Sequence, residues 1–194
     1  MPPLALDKLS STEIVQILLG CSSLDLFMEA MTKAGEGWFV ATLLVGVSWM
    51  VNRSWRVRLW SALRGLVSLA VAGGLTQVLK RLVDAPRPLE ILGPERVRVL
   101  MEPLRVMSFP SGHSAAAAAF AVWAARLPPG KKRLWPWLFA FLVGLSRIYV
   151  GAHWGTDVVA GWALGAAVAY GFNRVWPVRR PAVGVPAGES GARW

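Results

Sequence analysis

Residues 146–157 read Ser-Arg-Ile-Tyr-Val-Gly-Ala-His-Trp-Gly-Thr-Asp, and this short stretch joins two strongly apolar segments of the chain. It places Arg147, His153 and Asp157 at the junction, in a chain that has only two histidines. A nucleophilic histidine must be held in one tautomer, and a carboxylate can do this by accepting the other ring N–H. Asp157 follows His153 by four residues, which brings the two side chains within reach if the turn is helical. We interpret the stretch as a candidate active site between two helices.

The composition of the whole chain indicates a membrane protein. Hydrophobic residues make up 55% of the 194 residues, and 11 of the residues are tryptophan. The apolar residues come in blocks and not in the periodic faces of a soluble core. The length corresponds to about one domain.

The charge and the cysteine content exclude other classes of protein. The formal net charge of +10 could suggest a nucleic-acid partner, but the basic residues fall between apolar blocks and form no basic helix. We therefore expect no nucleic acid to bind. Cys21 is the single cysteine, which excludes an internal disulfide and a metal site built from thiolates.

Five apolar segments predict an all-α fold, a polytopic membrane helix bundle of about five spanning helices. These segments are residues 37–51, 59–79, 111–126, 134–147 and 156–173. Shorter apolar runs in residues 12–33 are broken by acidic and hydroxyl residues, which predicts interfacial amphipathic helices, with a sixth span as the alternative. The predicted divisions are an N-terminal interfacial segment at 1–36, a membrane domain at 37–176 and a disordered tail at 177–194.

Small residues and prolines predict how these segments pack. Residues 115–119 are all alanine, so other helices can approach the third span closely and it should be central. Gly161 and Gly165 predict packing of the fifth span within the molecule. Arg64 is expected to extend its guanidinium to the lipid headgroups. The proline-rich segment 80–109 is expected to fold over a neighbouring site.

The distribution of basic residues predicts the orientation in the membrane. The loops at 52–58 and 126–133 and the chain from residue 174 onward carry many basic residues and one acid, Glu189. In the segments predicted on the other side of the membrane, the charges of basic and acidic residues nearly cancel. By the positive-inside rule the basic side, with the C-terminus, is cytoplasmic, and residues 146–157 face outward.

Three groups of residues on the outward side predict an anion site. They are Lys80 and Arg87 after the second span, Ser111, Gly112 and His113 at the start of the third, and Arg147, His153 and Asp157 between the fourth and fifth. Two arginines can fork onto phosphate oxygens while a lysine acts as a point charge. Free N–H groups at a helix start favour the same anion, and a glycine there lets the ligand approach the backbone. The three groups together suit a phosphate dianion.

The two histidines predict a division of roles. One attacks phosphorus as a neutral imidazole, and the other, when protonated, donates to the leaving oxygen. Asp157 distinguishes them, because a carboxylate near His153 stabilises the imidazolium that forms on attack. His113 is then the general acid.

These groups resemble the signature of the type 2 phosphatidic acid phosphatase family, at residues 80–88, 110–113 and 146–157. The resemblance implies a metal-independent phosphatase domain with no cofactor, which acts on a phosphorylated membrane lipid through a phosphohistidine on His153. It also implies that Asp157 supports His153 and that His113 protonates the leaving group. The implied phosphate-binding residues are Lys80, Arg87, Ser111, Gly112, His113 and Arg147.

The layout is similar to that of bacterial enzymes of the plasma membrane that dephosphorylate undecaprenyl diphosphate or phosphatidylglycerol phosphate on the outer face. Phosphatidic acid is a further candidate substrate. The tails of these lipids present the same apolar surface to a groove, so the motifs leave the lipid open, as well as the choice between mono- and diphosphate and the oligomeric state.

Two alternatives belong to other classes. The same signature resembles vanadium-dependent haloperoxidases, although those are soluble and this chain has five apolar segments. The second alternative is a catalytically inactive protein that binds lipid phosphate. Hydrolysis assisted by a metal is disfavoured, because the acids on the outward side lack the spacing of metal ligands. These acids are Asp84, Glu90, Glu95 and Glu102.

Overall fold

The computed structural model describes residues 10–51, 54–101, 106–125 and 134–177. Within these ranges the chain forms α-helices joined by short connections and contains no strand. The helices are α1 (Ser11–Leu19), α2 (Ser22–Ala34), α3 (Gly37–Val51), α4 (Trp55–Val83), α5 (Pro88–Leu92), α6 (Gly112–Ala124), α7 (Trp135–Tyr149) and α8 (Gly155–Val175). The predicted disordered tail lies outside the described residues beyond position 177.

The five apolar segments coincide with α3, α4, α6, α7 and α8, which confirms the predicted all-α architecture. The largest difference is in α4, which begins at Trp55 and ends at Val83, four residues beyond the predicted limit on each side. Asp84 ends this helix in a left-handed conformation (φ 41°), and its N–H donates to the carbonyl of Lys80. Lys80 therefore lies inside the last helical turn and not after it.

Helix length and hydropathy support fewer spans than the sequence predicts. In the described part of the chain, the segment Trp55–Leu92 is long and apolar enough to cross a membrane. The pair α2 and α3, bent by 74°, would count as a second span if it is one broken helix. A helix of 15 residues is only about 23 Å long, which is shorter than a typical hydrocarbon core. Five spans, and the interfacial position of α1 and α2, stay predictions.

Helix α6 occupies the centre of the bundle and contacts α3, α4, α7 and α8. Phe120 and Trp123 are buried on it, together with most of its alanines. The glycines of α8 lie directly against its backbone: a Cβ added to Gly161 would be 2.4 Å from the carbonyl oxygen of Ser111, and one added to Gly165 would be 2.0 Å from that of Ala115. Both predictions, a central third span and intramolecular packing of the glycine pair, are confirmed.

The expectation for Arg64 is wrong. Its side chain does not reach out to headgroups but is buried, with 4% of its surface exposed. Its Nη1 donates to the backbone carbonyl of Trp176 at 3.0 Å. Helices α4 and α8 pack side by side, and the last carbonyls of α8 have no partner within their own helix. Arg64 therefore stabilises the C-terminus of α8.

Candidate active site

The predicted site residues lie together at one end of the bundle, which we call the site end. Lys80 is in the last turn of α4 and Arg147 is in the last turn of α7. Asp157 is in the first turn of α8, and Gly112 and His113 begin α6. Helix ends that are distant in sequence thus supply a single cluster of polar side chains.

The contact between His153 and Asp157 is present, but the turn that makes it is not helical. Nδ1 of His153 lies 3.4 Å from Oδ2 of Asp157, and both side chains are almost fully buried. Between them, Trp154 is extended (φ −74°, ψ 158°), and α8 begins only at Gly155. The carboxylate reaches back to accept the N–H of Trp154 at 2.9 Å, as an acid in the first turn of a helix often does. This orientation directs the opposite ring nitrogen, Nε2, away from the aspartate.

Lys80 and Arg87 bind the same stretch of backbone. Nζ of Lys80 donates to the carbonyls of Met107 and Ser108. Arg87 donates from Nε to Val106 O at 2.9 Å and from Nη2 to Met107 O at 3.4 Å. The segment 106–108 thereby forms one wall of the site, which confirms that part of the segment 80–109 folds over it.

Arg87 also reaches the loop that carries His153, because its Nη1 donates to the carbonyl of Ala152 at 2.8 Å. Arg147 is 5% exposed, and its Nη1 contacts the sulfur of Met101 at 3.8 Å. Its Nε has no hydrogen-bond partner among the residues that the structure describes. Arg147 thus holds an unused donor inside the site.

The positive charge of the site is only partly offset by neighbouring acids, since Asp157 acts on Lys80 and Arg87, and Glu36 acts on Arg147. Among the described residues, Lys80, Arg87 and Arg147 donate to carbonyls and a thioether, and none of them forms an ion pair. All three cations act electrostatically on both His113 and His153. Buried cations that lack a direct ion pair are costly, and an anionic ligand relieves that cost. The site is therefore suited to a phosphate group.

The same environment favours the neutral form of His153. Burial lowers the pKa of His153, and Arg147, Arg87 and Lys80 lower it further, against the opposing effect of the bond to Asp157. The imidazole is then unprotonated at neutral pH, which is the form that a nucleophile needs.

The N-terminus of α6 offers backbone donors to the same space. Ser111 is its N-cap, and the first intrahelical bond runs from Ala115 N to Ser111 O. The N–H groups of Gly112 and His113 precede that bond and have no acceptor within the helix. Ser111 itself is fully buried: its N–H donates to the carbonyl of Asp157 at 2.9 Å, and its hydroxyl pairs with that of Ser114. Ser111 therefore connects α6 to α8 directly beside the site.

His113 lies against the break between α2 and α3. A Cβ added to Gly35 would be 3.2 Å from Cδ2 of the imidazole. No hydrogen bond to the ring is present among the described residues. His113 follows Ser111 by two residues, and the N–H of Ser111 donates to the carbonyl of Asp157, so both histidines belong to the site end. This arrangement allows one to act as a nucleophile and the other to exchange a proton.

Ser108 is a site residue that sequence reasoning missed. Its hydroxyl donates to Oδ2 of Asp157, the oxygen that also faces His153. Ser108 stands two residues before Pro110, just outside the predicted group at 110–113. In the sequence, Ser108 is only a polar residue shortly before a predicted helix. Many serines without a role in a site have such a position.

Comparisons with known proteins agree with this architecture. Residues 61–181 match the model of the PAP2 superfamily. An undecaprenyl-diphosphatase of Sulfolobus acidocaldarius is 34% identical over 110 residues, which are 54% of this chain and 50% of the relative. The matched part of the chain thus spans half the length of that relative.

Two solved structures share the fold. LpxE of Aquifex aeolicus superposes with a TM-score of 0.71 at 26% identity, over 84% of this chain and 93% of its own. A transmembrane PAP2-type phosphatidylglycerolphosphate phosphatase from Bacillus subtilis gives a TM-score of 0.66 at 26% identity, over 87% of each chain.

The family match begins within α4 and includes α8, and so contains every predicted site residue. The structural similarity extends over the whole bundle and includes a transmembrane protein, which agrees with the apolar composition. The protein is an integral membrane helix bundle, and the resemblance found in its three signature groups is confirmed. The chain belongs to the PAP2 superfamily.

Proposed function

We propose that the protein is a lipid phosphatase that hydrolyses a phosphate from a membrane lipid through a phosphohistidine on His153. The observation that carries the proposal is the buried pair of His153 and Asp157 together with three cations that form no ion pair among the described residues. A nucleophile held by a carboxylate, an anion-binding environment and a second histidine are the parts that phosphoryl transfer requires. The relatives' names make undecaprenyl diphosphate and phosphatidylglycerol phosphate candidate substrates. Phosphatidic acid is a third.

In the first step, the lone pair of Nε2 of His153 attacks phosphorus and forms a P–N bond. The bond from phosphorus to the lipid oxygen, or in a diphosphate to the oxygen of the departing lipid monophosphate, breaks. His113, whose protonated form is favoured by the negative charge of the bound phosphate, donates its proton to that oxygen. Asp157 stabilises the imidazolium that develops on His153. In the second step, neutral His113 takes a proton from water, the water oxygen attacks phosphorus and the P–N bond breaks. The products are inorganic phosphate and either the lipid with a free hydroxyl or, from a diphosphate, the lipid monophosphate.

The phosphate oxygens would be bound by the cations and by the start of α6. In this proposal Lys80 and Arg87 exchange carbonyls of the segment 106–108 for phosphate oxygens, and Arg147 contributes its unused donor. The N–H groups of Gly112 and His113 complete the cradle, because the N-terminus of a helix favours an anion. The hydroxyl oxygen of Ser111 accepts from the N–H and the hydroxyl of Ser114, so its own hydrogen can be donated to a phosphate that lies against the same turn.

The experiment is phosphate release by the detergent-purified protein, in the presence of EDTA, from undecaprenyl diphosphate, phosphatidylglycerol phosphate, phosphatidic acid and lipid A. Turnover of at least one lipid is expected, with brief labelling of the protein by radioactive phosphate that is labile in acid and stable in alkali. His153→Ala should abolish both turnover and label. Labelling that persists in His153→Ala would rule out the proposed nucleophile. A protein that hydrolyses none of the lipids would favour the alternative of an inactive protein that binds lipid phosphate.

The proposed orientation places the site end outside the cytoplasm and the C-terminus inside it. The support is the excess of basic residues in the sequence at 52–58, at 126–133 and from residue 174 onward. Cys21 allows a direct test, because it is the single cysteine, it is exposed, and its carbonyl accepts the hydroxyl of Tyr149 near the site end. A membrane-impermeant thiol reagent should label Cys21 in intact cells. A protein that carries Cys21→Ser and Lys132→Cys should be labelled only after lysis, and the reverse pattern would invert the orientation.

A further inference from the structure

The loop that carries His153 is held from two directions. Its N–H groups are bound by the end of α7: those of Ala152 and His153 donate to the carbonyl of Arg147 at 3.1 and 3.2 Å, and that of Gly151 donates to Ile148 O at 3.1 Å. These bonds fix the distance of the loop from α7. They do not involve the carbonyl groups of the loop. The tilt of the loop relative to the end of α7 therefore depends on other elements that bind these carbonyls.

Helix α1 binds both ends of this loop. The hydroxyl of Thr12, which is fully buried, donates to the carbonyl of His153 at 3.4 Å. At the start of the loop, Nε2 of Gln16 donates to the carbonyl of Tyr149 at 2.8 Å. Beyond the loop, the N–H of Gly155 donates to the hydroxyl of Ser11 at 2.8 Å. Three side chains of one short helix therefore contact the backbone before, at and after the histidine.

The glycines of the loop match this contact. Gly151 has a left-handed φ of 75°, and a Cβ there would lie 2.8 Å from the carbonyl oxygen of Arg98 and 3.4 Å from Nε2 of Gln16. A Cβ on Gly155 would lie 3.1 Å from the hydroxyl of Ser11. Gly151 thus needs glycine for its conformation and for its close approach to the backbone of Arg98, and a side chain at Gly155 would displace Ser11 by a few tenths of an ångström.

Helix α1 is itself held in place by bonds to other residues, so its side chains can fix the position of the loop. Ser10 and Glu13 form a capping box at its start, and Arg96 pairs with Glu13 at 2.7 Å. Gln16 bonds to both backbone groups of Arg98, at 2.7 Å through Nε2 and at 3.1 Å through Oε1. These bonds hold α1 to a stretch of chain that also contacts the loop.

We infer that α1 is a positioning element for the nucleophile, and that Thr12 and Gln16, with Ser11, set the placement of His153 for attack on phosphorus. Helix α1 lies outside residues 61–181, the part of the chain that matches the family. It rests on the proposed function, because it presupposes that His153 attacks phosphate. A displacement of about 1 Å in a nucleophile can cost on the order of 100-fold in rate, so small contacts at the ends of the loop have a large effect on the chemical step.

The test is rapid-quench measurement of phosphoenzyme formation in a single turnover, with radiolabelled phosphatidic acid in detergent micelles as the probe. The amplitude reports the fraction of folded, competent protein, and the rate constant reports the placement of His153. Thr12→Val and Gln16→Met, which keep size and remove the donors, should lower the rate constant by roughly tenfold or more with little change in amplitude. Thr12→Ser, which keeps the hydroxyl, should restore the rate constant.

Thr32→Val is the matched control. Thr32 is equally buried, but its hydroxyl donates to Ser146 on α7 and not to the loop. This variant should form phosphoenzyme at the wild-type rate. The inference is overturned if the rate constants of Thr12→Val and Gln16→Met stay within about twofold of wild type, or if Thr32→Val is slowed as much. Wild-type protein that forms no phosphoenzyme from phosphatidic acid or from any other lipid tested for phosphate release would instead contradict the proposed function.

Discussion

Ser108 donates its hydroxyl hydrogen to Oδ2 of Asp157, the carboxylate oxygen that lies 3.4 Å from Nδ1 of His153. The backbone N–H of Trp154 donates to the same oxygen at 2.9 Å. One oxygen therefore faces three donors, and the bonds from Ser108 and Trp154 fix its position relative to the imidazole. The orientation of the imidazole therefore depends on the bonds from Ser108 and Trp154 to the carboxylate as well as on the carboxylate itself.

Asp157→Asn should leave the protein folded and able to bind phosphate but reduce kcat severely. The amide can present its NH₂ group to Nδ1 and so stabilise the wrong tautomer, a change that costs on the order of 10⁴-fold in a serine protease triad. Ser108→Ala should cost less, roughly tenfold, because it removes one bond to a charged group and leaves the other. Steady-state kinetics, with circular dichroism as the folding control, measures both. Near-normal turnover in Asp157→Asn would show that the aspartate is structural.

The pH dependence of kcat/KM should reflect the lowered pKa of His153. Burial, and then the nearby cations, disfavour the imidazolium, so the free enzyme should keep a neutral nucleophile below the ordinary histidine pKa of about 6.5. The acidic limb of the profile should therefore have its midpoint below that value. In Lys80→Met, which removes one cation, the midpoint should move upward.

Titration of the substrate phosphate also produces an acidic limb, but it is identical for both enzymes. The comparison of wild type with Lys80→Met on one lipid therefore isolates the contribution of the protein. A midpoint that does not move between the two enzymes would mean that Lys80 lies too far from His153 to affect its charge.

Helix α3 shows what can be predicted from sequence. Its observed bounds, Gly37–Val51, are those of the predicted apolar segment. The block is continuous, follows Gly35 and Glu36 and is succeeded by the polar sequence Asn-Arg-Ser, so local composition alone determines where it begins and ends. The signature groups were predictable for a related reason, since each stands at the end of such a block.

Thr12, Ser108 and Arg64 show what sequence reasoning could not find. Each makes its decisive contact with a residue that is distant in the chain: Thr12 with the loop of His153, Ser108 with the first turn of α8, and Arg64 with the end of α8. A hydroxyl beside a helix start normally caps that helix, and an arginine near the end of a span normally reaches outward. Only the packing of the bundle decides otherwise in these cases.

Gly165→Ala should destabilise the protein and lower its activity. The added Cβ would lie 2.0 Å from the carbonyl oxygen of Ala115, a backbone atom of α6 that cannot rotate away. The two helices must then separate, at a cost of about 1–3 kcal/mol for overpacking. Because His113 lies in the first turn of α6, turnover should fall as well.

Gly171→Ala, on the same helix, is the matched control, because a Cβ there meets nothing within 4 Å. It should be neutral or slightly stabilising, since alanine favours a helix over glycine. Thermal unfolding in detergent, followed by circular dichroism, compares the two variants. Equal unfolding temperatures would contradict the close contact of α6 and α8.

The ion pair between Glu13 and Arg96 should make the anchoring of α1 sensitive to acid. Burial alone would raise the pKa of Glu13, but hydrogen bonds from Ser10 and Arg96 outweigh it, and the pKa lies below its ordinary value. A carboxyl whose pKa is lowered on folding stabilises the folded state above its unfolded pKa of about 4.3, and this stabilisation is lost as the pH falls through the folded pKa. Glu13→Gln should therefore unfold at a lower temperature than wild type at neutral pH, and the gap should close in acid. Glu95→Gln changes the exposed acid next to Arg96 and is the control. Its unfolding temperature should equal that of wild type. A gap for Glu13→Gln that stays constant as the pH falls would mean that the stabilisation comes from packing and not from the charge.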